Sequence, residues 1–143
     1  MFVYKIANKN NIYFRFLIPF YTYFFRFSLL KKFDLLFNSY IENSDDSINI
    51  SFIDYSFETF DFIPEFSFRL YPKKNCIYVS SVKLPSNLQR VGIGSYFVQW
   101  LKQFGKIFGF DYIFLNSYQS AYGFWTKMDF KKIPYEYQKN YIP

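Results

Sequence analysis

Apolar and polar positions change their spacing several times along this chain, and each change marks an element. Phe2 to Ile6 and Asn11 to Ile18 alternate in steps of two, which predicts two strands joined by a turn at Asn8 to Asn11. Pro19, with no N–H to give a ladder, ends the second strand. Tyr21 to Phe27 fits either period. Ser28 is a capping residue type, and the spacing of Leu29, Phe33, Leu36, Phe37, Tyr40 and Ile41 predicts a helix from it to Asn43. Asn43 to Asp46 is a polar turn. Ile48, Ile50 and Phe52 alternate with Asn49 and Ser51, so Ser47 to Phe57 reads as a half-exposed strand. Pro64 interrupts the next segment, Phe66 to Tyr71 is a strand, and Pro72 to Asn75 turns the chain into a longer apolar strand, Cys76 to Leu84.

Beyond Gln89 to Ser95 the period becomes helical. Ile93, Phe97, Trp100, Leu101, Phe104 and Phe108 share one face of a helix that reaches Gly109. A strand at Asp111 to Asn116, a helix near Ser120 to Met128 and a strand at Phe130 to Ile133 follow, and the tail after Pro134 shows no pattern. Repeats and low-complexity linkers are absent from the sequence. With 143 residues, the expectation is one mixed α/β (α+β) domain, a mostly antiparallel sheet flanked by helices.

Composition sharpens this picture. Aromatic residues make up 27% of the chain, so its core must be packed largely with rings. There is no histidine and one cysteine, Cys76. Histidine-dependent nucleophilic catalysis and an intramolecular disulfide are thereby excluded, and any general base must be a carboxylate, tyrosine, lysine or water. Ile12 to Leu30 is the most apolar stretch, but Arg15, Pro19 and Arg26 interrupt it, which argues against a membrane span and leaves a peripheral membrane role as the minor alternative; with no secretory signal evident, a cytoplasmic protein is expected. Net charge is +6, unevenly spread: Phe33 to Phe68 holds eight acids and no base. Such a block suits a solvated face, or an acidic half and a basic half that attract opposite charges.

The most informative stretch is Gln89-Arg90-Val91-Gly92-Ile93-Gly94-Ser95. It stands between a predicted strand and a predicted helix, where unpartnered first-turn amides and the helix dipole favour an anion. Glycines at 92 and 94 let a phosphate approach the backbone, and Arg90 and Ser95 add a charge and a hydroxyl. Phe97 stands where a dinucleotide fingerprint needs a third small residue, and no Gly-Lys-Ser/Thr follows, so neither the Rossmann nor the P-loop pattern applies. A tight connection is the plain alternative.

A second motif follows at Ala121-Tyr122-Gly123-Phe124-Trp125-Thr126-Lys127-Met128-Asp129-Phe130. With both motifs in order, Cys76 to Phe130 resembles the GNAT family of acyl-CoA-dependent N-acetyltransferases. Gln89 to Gly94 match that family's Gln/Arg-x-x-Gly-x-Gly/Ala loop, and Ala121, Phe124, Lys127 and Phe130 match its later motif. Trp125 replaces the usual tyrosine, and Asp129 the usual glycine. The resemblance implies that acetyl-CoA is bound by backbone near Val82, Lys83 and Leu84 and by amides of Arg90, Val91, Gly92, Ile93, Gly94 and Ser95, with Gln89 and Lys127 beside them.

Acyl transfer also needs a base for the amine and a proton for the departing thiolate. Trp125 cannot supply that proton. Tyr122 and Tyr118 are the nearest hydroxyls, and Glu58, Asp61 and Glu65 are candidate bases. Cys76 as nucleophile is weighed against inert packing. The expected activity is acetylation of a primary amine, on a protein lysine or N-terminus or on a small cationic molecule. The alternatives are a toxin-like enzyme acting on aminoacyl-tRNA and an inactive acyl-CoA-binding or interaction module. A homodimer is allowed, and nucleic acid is less favoured because the acidic block breaks any uniform basic face.

Overall fold

The structure, a computed structural model, describes residues 1–10, 15–57 and 63–140. Among them seven strands form one sheet: β1 (Phe2–Lys5), β2 (Asn38–Asn43), β3 (Ile48–Ile53), β4 (Glu65–Tyr71), β5 (Cys76–Lys83), β6 (Tyr112–Leu115) and β7 (Lys131–Lys132). Their order is β2-β3-β4-β5-β6-β1-β7. Every adjacent pair is antiparallel except β5–β6. Three α-helices accompany the sheet: α1 (Ile18–Phe33), α2 (Ile93–Ile107) and α3 (Tyr122–Lys127). The fold is therefore mixed α/β with a mostly antiparallel sheet.

Strand alternation sorts side chains between two faces. Phe2, Ile50, Phe52, Phe66, Phe68, Ile77, Val79, Ile113 and Leu115 meet the buried residues of all three helices in one large cluster. Rings dominate it. Phe97 of α2 stacks on Phe66 at 4.5 Å and 3°, and Phe25 of α1 stacks on Trp100 of α2 at 4.4 Å. The opposite face carries a smaller cluster of Met1, Val3, Cys76 and Phe114, edged by Tyr71, Tyr78 and Tyr112.

The first half departs from the periodicity. Asn11 to Phe14 of the expected second strand lie outside the described residues. Arg15–Leu17 form a single 3₁₀ turn and Ile18 starts a helix. Pro19 sits in the first turn of α1, where its missing N–H costs nothing, so it opens a helix instead of ending a strand. The helix expected from Ser28 to Asn43 is displaced toward the N-terminus. Ser28 lies inside α1 and donates to the Phe25 carbonyl at 2.7 Å instead of capping. Asp34 ends the helix in a left-handed conformation, φ 57°, its N–H turned back to the Leu29 and Leu30 carbonyls. Asn38–Asn43 then pairs with β3, because Tyr40 and Ile41 satisfy either period and ladder bonds decide.

Asn8 does turn, at φ 54°, but β1 pairs with β6 and β7 and forms no hairpin beyond it. The predicted strand Ser47–Phe57 stops at Ile53, and Tyr55–Phe57 is a 3₁₀ turn. From Phe66 onward the expected elements appear within about two residues, the usual uncertainty of an element end.

Candidate functional site

The parallel pair β5–β6 is joined through α2, and its two strands diverge. Pairing runs from Cys76↔Tyr112 to Tyr78↔Phe114, whereas β5 continues to Lys83 along β4. The β6-facing edge of β5 from Val79 to Lys83 has no described strand beside it. A bulge sits at the same place: Phe68 pairs with Val79 and Ser67 with Ser81, leaving Ser80 unmatched. Open backbone at the carboxyl end of parallel strands is where α/β sheets hold ligands.

The loop from Leu84 to Gly92 leads from the end of β5 into α2. Pro85 begins a turn in which the Leu88 N–H donates to the Pro85 carbonyl at 2.9 Å. The Gln89 side chain donates to the Leu84 carbonyl at 2.9 Å, tying the loop to the end of β5. Arg90 and Gly92 both take positive φ, 64° and 89°. Gly92 is the N-cap of α2, and no side chain caps the helix, so its first-turn amides keep donors for an outside acceptor. A Cβ at Gly92 would meet nothing within 4 Å, whereas one at Gly94 would touch Phe124 at 3.6 Å and Leu84 at 4.0 Å. Gly92 is thus open to a ligand, and Gly94 packs against α3. Arg90, Val91 and Lys83 are exposed, Val82, Leu84 and Ser95 half-buried, and Ile93 buried in the core.

α3 packs beside the start of α2. Phe124 lies against Gly94, and Trp125 is buried, edge-on to Phe124 and Phe130. The Tyr122 ring rests on Phe2 at 5.2 Å with the Lys132 ammonium 4.6 Å over it, at the end of the sheet where β6 finishes. Tyr118 is 88% exposed, and Lys127 is exposed at the end of α3. Asp129 takes φ 67°, the left-handed conformation that glycine adopts freely.

The carboxylates divide between the two ends of the sheet. Glu65 opens β4 beside the end of β5, 4.0 Å from the Lys83 ammonium. Glu58 and Asp61 lie outside the described residues. Asp45 and Asp46 lie at the β2–β3 turn, at the far end. A cleft of about 350 Å³ opens there, lined by Ile18, Pro19, Asp45, Asp46 and Lys73. It shares no lining with the loop, so the candidate site is assigned on the chemistry of the β5–β6 divergence.

Near Glu65 the structure adds groups that sequence reasoning missed. Tyr55 is pushed above its ordinary value by desolvation first, then by charge and hydrogen bonding with Tyr40, then by the Glu65 carboxylate. Asp54 is 1% exposed, its Oδ1 accepting from Ser56 N–H and Oγ at 3.0 and 2.5 Å, its Oδ2 buried without a partner. The one available signal was an Asp-Tyr pair directly after an apolar alternation. Cys76 is buried, and desolvation pushes its thiol up to about 11, so it stays protonated and inert at neutral pH. No protein-family model and no curated protein matches the sequence. No helix among the described residues is long and apolar enough to cross a membrane.

Proposed function

We propose that the chain is an N-acetyltransferase that moves an acetyl group from acetyl-CoA to a primary amine. The observation that carries this reading is the divergence of β5 from β6 together with the uncapped start of α2. The free edge of Val79 to Lys83 supplies backbone donors and acceptors for the amide-bearing arm of coenzyme A. The amides of Ile93, Gly94 and Ser95 supply donors for its pyrophosphate, with Arg90 beside them.

In the reaction the amine nitrogen attacks the thioester carbonyl, a C–N bond forms and the C–S bond breaks. Glu65, directly or through a water, accepts the amine proton, because only the neutral amine has a lone pair to attack with. A β5 amide near Val82 to Leu84 donates to the oxyanion. Tyr122 returns a proton to the departing thiolate. Buried Trp125 has no role in proton transfer and supports Phe124 from beneath.

The acceptor class follows from the acids at this end, Glu65 and buried Asp54, which favour a cationic amine. Mass spectrometry of the purified protein for bound coenzyme A, followed by an acceptor screen with acetyl-CoA, tests the reading. Transfer to a lysine peptide, an N-terminal peptide or a polyamine supports it. Acetyl-CoA binding without turnover on any of them points to a binding module instead, and absence of binding rejects both.

A further inference from the structure

The outer face of α1 is the least expected surface of the molecule. Its inner face buries Ile18, Thr22, Phe25 and Leu29. Its outer face carries Phe20, Tyr23, Phe24, Phe27 and Leu30, exposed by 60, 58, 63, 51 and 38%. Apolar residues thus ring the helix, the pattern of a helix covered on all sides. The exposed rings fall one turn apart and form one continuous stripe.

We infer that this stripe is a dimer interface, covered by α1 of a second copy of the chain running antiparallel across a two-fold axis. Charge selects this occupant. α1 contains no acid. Arg26 is turned inward to the Phe37 carbonyl and Ser39, and Lys32 reaches over the Tyr96 ring of α2. Lys31, folded over Phe27, is the cation left at the carboxyl end of the outer face. At the amino end, exposed Asp45 and Asp46 share a cleft with Ile18, Pro19 and one base, Lys73, which leaves the cleft net acidic. An axis between Tyr23 and Phe24 sets Phe20 opposite Phe27 of the second copy, and brings each Lys31 to the other copy's Asp45 and Asp46. A parallel pair would join like charges, and an anionic bilayer would meet those acids.

The rings expose roughly 500 Å² per copy, so about 1,000 Å² in the pair, at the lower edge of a specific interface. Such an area fits a weak, reversible dimer, and a dissociation constant in the micromolar range is expected. Sedimentation velocity of the full chain from ~1 to ~300 µM is the test, because that range brackets a micromolar dissociation constant. The expected result is a concentration-dependent shift from monomer to dimer, lost in Phe24→Asp with unchanged circular dichroism and Tm. Lys31→Glu should weaken the dimer, and adding Asp45→Lys and Asp46→Lys should restore it.

A short bis-maleimide linker should join copies of Phe24→Cys, near the axis, more efficiently than copies of Phe20→Cys. In a parallel pair the two would link alike. The native thiol Cys76 is buried and gives little background. A monomer at every concentration overturns the proposal. So does a dimer that survives Phe24→Asp, or a monomer that pellets with phosphatidylserine-rich vesicles through the same rings.

Discussion

Replacing Gly92 by asparagine or by aspartate separates the folding role of this position from its proposed ligand role. Gly92 is at φ 89° with open space around its α-carbon. Both replacements tolerate a left-handed backbone better than other residues, so each should cost about 1 kcal/mol or less in strain. They share a shape and differ by one charge. At the start of α2 the aspartate faces the positive end of the helix dipole, worth about 0.3–1 kcal/mol, so Gly92→Asp should be as stable as Gly92→Asn or slightly more.

Affinity for acetyl-CoA should move the other way. A carboxylate ~6 Å from a pyrophosphate charge is repelled by about 3 kcal/mol at an effective dielectric of ~20, and by under 1 kcal/mol in open water. Because Gly92 is exposed, a value of roughly 1–3 kcal/mol is expected, a ~5- to 150-fold weaker binding than the asparagine variant. Calorimetric titration at low and high salt, with thermal melts in parallel, measures both quantities. Salt should narrow the gap. Equal affinity in the two variants would refute the reasoning, since no anion could then sit at this helix start.

Other expectations are independent of that one. Tyr122→Phe keeps the ring on Phe2 and removes the hydroxyl, so kcat should fall by roughly 10²-fold or more with acetyl-CoA affinity unchanged. Tyr118→Phe, at an exposed position, should turn over like the parent. Alkylation of Cys76 by iodoacetamide should stay slow in the folded protein until pH approaches about 11, against an ordinary thiol value of 9.0, and become fast on unfolding. Phe97→Ala removes the ring stacked on Phe66 and should cost about 3–5 kcal/mol by urea denaturation. A loss under ~1 kcal/mol would mean that the core closes over the gap.

Legibility in the sequence follows how locally each element is decided. α2 could be read because Phe97, Leu101, Phe104 and Phe108 keep one face over about three turns, and the loop before it carries two glycines in a strand-to-helix context. β5 and β6 were legible as largely apolar runs between turn residues. β1 and β3 were legible by their alternation, but the stretch from Arg15 to Asn43 was not, because its aromatic residues satisfy either period. In Tyr21 to Phe27 almost every position is apolar, so periodicity has no contrast to work with. Tyr40 and Ile41 are held in β2 by ladder bonds to β3, a pairing that no local pattern records.

The candidate site divides in the same way. Gly92 and Gly94 could be named from spacing, but only their surroundings separate the open position from the packed one. The divergence of β5 from β6 is a property of pairing and left no sequence trace, and the meeting of Tyr55, Tyr40 and Glu65 joins residues from three segments.

Hydrogen–deuterium exchange with and without acetyl-CoA tests the central claim most directly. The account predicts new protection of backbone amides in two segments, residues 80–84 at the open edge of β5 and residues 90–96 at the start of α2, with no change at the β2–β3 turn. Protection confined to residues 43–48 around the distant cleft, or none at saturating acetyl-CoA, would contradict it.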